Sequence, residues 1–211
     1  MHLVNRGVEP TGLAPIRARY TQAWIDHYRN GVGRRPTDKR WVDFVNDLGV
    51  RFGGCCGYCE GMCKGVVDHY RPKSRFPRLV YSWDNWIFSC HDCNQSKGSQ
   101  WPRSGFTDPC SPVSFCTAPS CFAFDLKTGE VLPNPNLSAR HRLRAKVKIN
   151  ALGLNLSFHL RSRLAHINHL DALVLLAKHD AREAANRLAR LILPDAPFYS
   201  LTRFYIDQQL P

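Results

Sequence analysis

The stretch Cys56-Gly-Tyr-Cys59, followed thirty residues later by Cys90-His-Asp-Cys93, contains two Cys-x2-Cys pairs. Each pair can hold one edge of a tetrahedral zinc site, and four thiolates would leave no position for water. Such a zinc is structural, because it replaces the hydrophobic core that a finger of this size cannot build. Cys55 and Cys63 are alternative ligands on the N-terminal side, but the spacing favours Cys56 and Cys59.

Residues with catalytic chemistry lie between and beside these pairs. Asp68 and His69 follow Val66-Val67, a β-branched segment typical of a short strand, and Asn94 comes directly after Cys93. Folding about the zinc would bring the Asp68, His69 and Asn94 side chains together. One carboxylate and one amide oxygen leave most of an octahedral shell to water and phosphate, which suits Mg²⁺ or Mn²⁺. We therefore expect Asp68 and Asn94 to bind a catalytic metal; a helix N-cap is the alternative for Asn94.

His69 is the candidate general base. It lies one residue along the strand from Asp68, so its side chain points to the opposite face. A neutral imidazole near pH 7 can deprotonate the attacking water without binding the metal. A lone histidine is more often a surface or hydrogen-bonded residue, but the setting of His69 favours catalysis.

These motifs together resemble an HNH endonuclease of the His-Me finger superfamily. The resemblance rests on the order, spacing and residue types of Cys56-Gly-Tyr-Cys-Glu60, Val67-Asp-His-Tyr-Arg-Pro-Lys-Ser74, Trp83-Asp-Asn-Trp86 and Cys90-His-Asp-Cys-Asn-Gln-Ser-Lys-Gly98. The subfamily it most resembles is the HNH nuclease of the Septu anti-phage system, also found in some retron systems. The likeness is strong over 52–101. It extends loosely to Leu152-Gly-Leu-Asn155, Leu160-Arg-x-Arg163 and Pro197-Phe-Tyr-Ser200.

The resemblance implies a role for each motif residue. His69 is the first histidine and the general base, Asn85 is the middle asparagine that holds the histidine loop, and Asn94 takes the third position. Asp68 and Asn94 would carry the divalent metal. Asparagine replaces the second histidine of the family's name, a common variant that leaves open Mg²⁺, Mn²⁺ or a softer ion. Cys63 has no counterpart in the pattern.

Basic residues near the motif are candidates for contact with phosphates of nucleic acid. Arg71 and Lys73 follow the histidine at alternate positions, and Lys97 lies one helical turn after Asn94. The run Arg140-His-Arg-Leu-Arg-Ala-Lys-Val-Lys148 would place several cations on one or two faces of a helix, where nucleic acid could also track. The alternative for all of them is a solvated surface charge.

The whole chain is basic, with 29 Lys and Arg against 17 Asp and Glu and a formal net charge of +12. This excess favours polyanions such as nucleic acid as partners. No run approaches the roughly 20 apolar residues that span a bilayer, and residues 1–20 lack the order of a signal peptide. We therefore expect a cytoplasmic protein that does not contact membranes, in which paired cysteines bind metal rather than form disulfides.

Three later cysteines, Cys110, Cys116 and Cys121, lie in and beside a proline-rich segment. With His91 or Cys63 they could complete a second zinc site. Scattered thiols are more often buried as small hydrophobic residues, and that interpretation is favoured here.

Hydrophobic periodicity organises the rest of the chain. Residues 1–51 predict two helices, since apolar residues recur at helical spacing from Ile16 to Tyr28 and again from Trp41 to Leu48. Residues 52–105 form the finger, 106–136 a proline- and cysteine-rich loop with a β-hairpin, and 137–211 a helical region interrupted near Gly153. We therefore predict an α+β protein in which a zinc-stapled ββα-metal core is embedded in N- and C-terminal helices.

These observations predict a metal-dependent HNH endonuclease that hydrolyses phosphodiester bonds, with DNA favoured over RNA, structural Zn²⁺ and catalytic Mg²⁺ or Mn²⁺. By its resemblance it is the effector nuclease of an anti-phage defence system and pairs with an ABC-type ATPase, which could dock near Leu173 and Leu176. An RNA nuclease acting on tRNA with the same site remains an alternative. So does a non-catalytic zinc-ribbon module, although a ribbon needs only the four cysteines.

Overall fold

The computed structural model describes residues 3–102, 106, 108–111 and 121–209 of the 211-residue chain. Helices and small antiparallel sheets confirm the predicted α+β class. The strands in this part of the chain are β1 (Val66–His69), β2 (Trp86–Ser89), β3 (Phe122–Phe124) and β4 (Val131–Pro133). The helices are α1 (Leu13–Tyr28), α2 (Val45–Arg51), α3 (His91–Lys97), α4 (Ala139–Ala151), α5 (Ser157–Ala177), α6 (Ala181–Leu191) and α7 (Tyr199–Gln209).

The strands β1 and β2 and the helix α3 form the ββα finger. The strands pair antiparallel, with Asp68 opposite Ile87 and His69 opposite Trp86. Every residue of β2 is buried, so its sequence lacks the two-residue period by which half-exposed strands are found. The β-branched residues Val66 and Val67 predict β1, whereas β2 is expected only from the ββα fold that the family resemblance implies.

The first cysteine pair lies in a tight knuckle packed against this sheet. A Cβ on Gly57 would lie 2.6 Å from Cε1 of Phe52 and 2.8 Å from Cγ2 of Ile87, so the close approach requires glycine. Within the knuckle Cys56 N donates to Gly61 O at 2.9 Å, and Gly57 N donates to Phe88 O of β2 at 2.8 Å. The knuckle is therefore held against the sheet by packing as well as by backbone hydrogen bonds.

The N-terminal helices supply an aromatic wall behind β1. Trp24 of α1 lies 5.6 Å from Trp41, which precedes α2, and both are buried. Phe44 in turn packs 5.8 Å from Trp86 of β2. The regular aromatic spacing thus marks core residues. The second helical segment differs in detail, since it begins as a 3₁₀ turn over Arg40–Phe44 before α2.

The C-terminal region is helical and breaks at Gly153, as predicted. Gly153 has a φ of +61°, which favours glycine and ends α4. A second break, which the apolar pattern does not reveal, separates α5 from α6 at residues 178–180. There Asp180 Oδ1 accepts a hydrogen bond from Glu183 N at 2.9 Å and caps α6.

The C-terminal residues that carry part of the family resemblance form hydrogen bonds that hold the fold together. Arg163 is 2% exposed, and it donates to Gly129 O and Leu154 O, each at 2.5 Å. The Asn155 side chain accepts a hydrogen bond from Val131 N at Oδ1, at 2.9 Å, and donates one from Nδ2 to Val131 O, at 3.0 Å. This part of the motif therefore fixes the β3–β4 hairpin to α5.

A buried carboxylate joins the cysteine knuckle to α7. Glu60 is 4% exposed, and its carboxylate accepts from Ser200 Oγ at 2.6 Å and from Ser200 N at 2.8 Å. The Glu60 carbonyl also accepts from Phe198 N at 3.0 Å. A carboxylate at the start of a helix meets both free N–H groups and a favourable dipole. The last helix is thus anchored on the knuckle.

The predicted docking surface at Leu173 needs correction. Leu173, predicted at a docking surface, is 6% exposed, while Leu175 is 59% exposed and lies outward. Cys116 of the proposed second zinc site falls outside the described residues. None of the described helices is both long and apolar enough to span a membrane.

We predict that Ser200→Ala lowers the free energy of unfolding by about 1.5–3 kcal/mol, because it removes a hydrogen bond to a buried carboxylate. Urea denaturation measures this change. Ser162→Ala is the matched control, since Ser162 is exposed on α5 and, among the described residues, its hydroxyl bonds Phe158 O alone. It should change stability by less than about 0.5 kcal/mol. Equal effects of the two substitutions would contradict the anchoring role of Glu60.

Candidate active site and metal centres

Four thiols converge between the first knuckle and the start of α3. The sulfur atoms of Cys56, Cys59, Cys90 and Cys93 all lie within 4.8 Å of one another, and those of Cys59 and Cys90 are 3.9 Å apart. A zinc ion with Zn–S bonds of about 2.3 Å at the centre of a tetrahedron sets its sulfurs about 3.8 Å apart. The cluster therefore fits one zinc ion with four sulfur ligands, the set predicted from spacing.

Backbone amides point at these sulfurs. Tyr58 N donates to Cys56 Sγ and Cys93 N donates to Cys90 Sγ, both at 3.4 Å. Such bonds stabilise negative charge on sulfur and orient the ligands. Cys90 is also the N-cap of α3, so the second knuckle and the helix start are one structure. Asn94 is then an interior residue of α3, and its alternative interpretation as an N-cap is wrong.

Asp68 is buried against α3 rather than open to solvent. Lys97 Nζ lies 2.9 Å from each Asp68 carboxylate oxygen, and Tyr58 Oη donates to Oδ2 at 2.5 Å. Burial raises the pKa of Asp68, and the charge of Lys97 and the bond from Tyr58 oppose this rise. A carboxylate offers about four lone-pair sites, so these partners leave room for one further ligand.

The residues fit a divalent cation that is held weakly. Asn94 lies one turn before Lys97 on α3 and is partly exposed, so it shares a helix face with the residue that contacts Asp68. One free position on Asp68 and one amide oxygen match the oxygen ligands of Mg²⁺ or Mn²⁺. The ammonium of Lys97 already balances the charge of Asp68, which reduces the attraction for a cation.

His69 has a fixed tautomer. Its Nε2 lies 2.9 Å from the carbonyl oxygen of Val80, and a carbonyl can only accept, so Nε2 carries the proton. Nδ1 is then the basic nitrogen. Trp41 packs edge-on at 4.8 Å between ring centroids. Burial, and then the positive charge of Lys73, lower the pKa of His69 to about 3, which keeps the imidazole neutral near pH 7.

Comparison with known proteins gives a family match that covers this centre. The sequence model of the HNH endonuclease family matches residues 56–100. Residues 56–100 are therefore similar to an HNH endonuclease domain. The chain is also similar to Septu protein PtuB of Bacillus thuringiensis, with 28% identity over 106 residues. That match covers 47% of this chain and 37% of PtuB, so the chain spans well under half of that relative's length. These findings confirm the resemblance drawn from the motifs.

Within the HNH domain, Asn85 binds the loop that follows His69. Its Oδ1 accepts from Arg71 N at 2.9 Å, and its Nδ2 donates to Arg71 O and Leu79 O, both at 3.1 Å. The Asn85 carbonyl accepts from Tyr70 N at 2.8 Å. Asn85 is therefore a positioning residue, because its polar groups reach both ends of the loop and not the imidazole.

The predicted phosphate contacts divide into exposed and buried residues. Arg71 is exposed, and Lys73 is partly exposed with its ammonium 5.3 Å from the ring of Trp41. Burial, and then the charge of Arg35, lower the pKa of Lys73. Lys97 is 0% exposed and also donates to His69 O at 2.8 Å. Lys97 is therefore a buried partner of the HNH strand, and the prediction that it contacts nucleic acid does not agree with this position.

The basic run in α4 is also divided. Arg140, Arg142 and Lys146 are exposed, whereas Lys148 is 1% exposed. Burial lowers the pKa of Lys148 to about 7, and its ammonium lies 5.8 Å from the ring of Phe122. Only the first part of this run can therefore meet a nucleic acid.

Sequence reasoning missed two residues of the HNH centre. His159 of α5 is buried, and its Nε2 lies 3.4 Å from Cys93 Sγ. Tyr58, the hydrogen-bond donor to Asp68, stands inside the first Cys-x2-Cys pair. The position of Tyr58 in the knuckle was a usable signal. His159 is 66 residues from Cys93, and no local pattern relates the two.

We predict about one zinc per chain by elemental analysis, and loss of both zinc and cooperative folding in Cys90→Ser. The reason is that four clustered thiols stabilise the finger only when a cation draws them together. Cys63→Ser is the control and should keep its zinc, because Cys63 lies outside the four-sulfur cluster. A folded, zinc-free wild-type protein would refute the zinc assignment.

Proposed function

We propose that this protein is a metal-dependent endonuclease that hydrolyses phosphodiester bonds, with DNA as its favoured substrate. The observation that carries the proposal is the bond from His69 Nε2 to Val80 O, which leaves Nδ1 as a neutral base within the HNH domain. A zinc ribbon that only binds nucleic acid has no need of a histidine with a defined tautomer.

The reaction follows from the residues around His69. Nδ1 accepts a proton from the water that attacks phosphorus, and the imidazolium then formed keeps its bond to Val80 O. Asn85 fixes the loop between His69 and Val80, so that the base does not swing away. Asp68 and Asn94 would hold Mg²⁺ or Mn²⁺, which stabilises charge on the pentacovalent phosphate and on the leaving 3′ oxygen.

The weak metal site has a consequence for substrate binding. Lys97 balances Asp68, so the protein supplies little net charge for a cation. A phosphate oxygen of the substrate adds the missing negative charge and a further oxygen ligand. We therefore infer that Mg²⁺ or Mn²⁺ binds more tightly when nucleic acid is present, with Arg71 and Lys73 in contact with neighbouring phosphates.

We also propose a role in anti-phage defence, in the cytoplasm and together with an ABC-type ATPase. The similarity to Septu protein PtuB supports this role. A nuclease that is active at all times would damage its own host, so a partner that restrains it is needed. Co-purification from the native operon tests the partnership; a chain that is always isolated alone and fully active would contradict it.

We predict that His69→Ala reduces plasmid cleavage by roughly 10²–10⁴-fold, because it removes the general base. The substitution should leave the zinc content and the affinity for nucleic acid almost unchanged. His179→Ala is the control, since His179 is exposed beside the α5–α6 break, and it should cleave at the wild-type rate. Wild-type cleavage by His69→Ala, or loss of its zinc, would favour the non-catalytic module.

The substitution Asn94→Ala distinguishes the role of the catalytic metal from that of the general base. Raised Mn²⁺ should partly restore cleavage in Asn94→Ala, because one ligand is lost and mass action compensates. It should not restore His69→Ala. Asn94 is preferable to Asp68 for this test, because removal of Asp68 leaves the buried Lys97 ammonium unpaired and destabilises the fold. Equal rescue of both variants would contradict the division of roles.

The same assay decides between DNA and RNA. Plasmid, single-stranded DNA and tRNA are incubated with the protein and Mg²⁺ or Mn²⁺. We expect cleavage of DNA. Cleavage of tRNA alone would transfer the proposal to the RNA nuclease.

A further inference from the structure

A second basic site lies beside the HNH centre, in a surface cleft of about 470 Å³. The end of α1 forms one side, and the loop that follows His69 forms the other. The residues that line it are Tyr28, Arg29, Arg75, Phe76, Pro77, Arg78 and Leu79. None of these lining residues is acidic, so the cleft is suited to an anion.

The three arginines of the cleft carry charge that other groups do not neutralise. Arg29, Arg75 and Arg78 are all exposed. Within the described part of the chain, no carboxylate forms an ion pair with them. Arg75 is oriented by a hydrogen bond from Nη1 to Trp101 O at 2.8 Å. Guanidinium groups match phosphate geometry through paired N–H donors.

Two aromatic rings in the cleft are held in place from behind. Tyr28 stacks on Trp24, with ring centroids 5.9 Å apart and an angle of 16° between planes. Phe76 meets Trp101 edge-on at 5.5 Å. Both lining rings are partly exposed. Fixed rings beside cations are the combination by which proteins bind single-stranded nucleic acid, with bases on rings and phosphates on arginines.

The cleft is close to the proposed base. Three ring-to-ring steps of 4.8, 5.6 and 5.9 Å lead from His69 through Trp41 and Trp24 to Tyr28. Tyr28 is therefore within about 16 Å of His69, a span of about five base steps at 3.4 Å each. Arg75 to Leu79 also belong to the loop whose end, Val80, holds the imidazole.

We propose that this cleft binds an unpaired nucleotide of the substrate strand a few positions from the scissile bond. Arg29 and Arg78 contact its phosphates, and its base lies against Phe76 and Tyr28. The volume is in the range of pockets for small ligands and is sufficient for one nucleotide. A paired base is stacked inside the duplex, so it does not present its face to the two rings unless it is flipped out. The inference rests on the proposed nuclease function and specifies how that site holds its strand.

The test measures binding in protein that carries His69→Ala, so that the probe stays intact. A labelled single-stranded oligodeoxynucleotide and a blunt duplex of the same sequence are titrated at several salt concentrations. Each phosphate contact contributes about 0.7 to the slope of log affinity against log salt for a single strand. The double variant Arg29→Gln/Arg78→Gln loses two contacts, so its slope should be shallower by about 1.4. Arg182→Gln with Arg190→Gln, an equal change of charge on the exposed side of α6, should leave the slope unchanged.

The ring is tested separately from the charge. Phe76→Leu should weaken single-strand binding about fivefold or more, with an unchanged salt slope and unchanged duplex binding. Phe76→Tyr keeps the ring and should bind as the parent does. Thermal denaturation checks that each variant is folded. If Phe76→Leu does not fold, the double arginine variant still tests the inference, because both arginines are on the surface.

The possible failures are distinct. If the arginine pair and the α6 pair behave alike, the cleft does not contact phosphates and the inference is wrong. If Phe76→Leu weakens single strand and duplex equally, the cleft does not take an unpaired base. Cleavage of the same strand by protein with His69 intact is measured alongside. If that protein does not cleave the strand, while single-strand binding still depends on the cleft residues, the result contradicts the proposed function but not the binding site.

Discussion

The convergence of four thiols is the constraint on which the rest of the structure depends. Cys56 and Cys59 lie in a glycine-rich knuckle, Cys90 and Cys93 begin a seven-residue helix, and the paired strands between them have four residues each. Elements this short do not form stable structure alone. A cation among the sulfurs would link both ends of the finger, and the hydrogen bonds of Glu60 to Ser200 connect the first knuckle to the C-terminal helix.

The two proposed catalytic residues of β1 lie on opposite faces of the strand and have different partners. Asp68 points towards α3, where Lys97 and Tyr58 hold it, and His69 points towards Trp41 and the aromatic wall. The ion pair that fixes the Asp68 carboxylate also lowers its attraction for a divalent cation. The same interaction therefore supports the fold, and it is the reason for the proposal that a catalytic metal at Asp68 would depend on the phosphate of a bound substrate.

The sequence allowed the prediction of features that have local causes. The Cys-x2-Cys spacing identified the four clustered sulfurs, and aromatic spacing identified α1. Other features depend on burial or on distant contacts. Strand β2 is buried on both faces and so lacks a period, and Lys97 looks like a surface cation until its contact with Asp68 is known. His159 reaches Cys93 across 66 residues, which no local pattern records.

Zinc K-edge absorption spectroscopy of the wild-type protein tests the central claim most directly, since it reports which atoms surround the ion. The account predicts a single shell of four sulfur atoms at about 2.3 Å. It also predicts that this shell is the same in His69→Ala, because the imidazole bonds Val80 O and not the zinc centre. A shell with nitrogen or oxygen ligands, or one that changes when His69 is removed, would contradict the separation of the structural metal from the catalytic base.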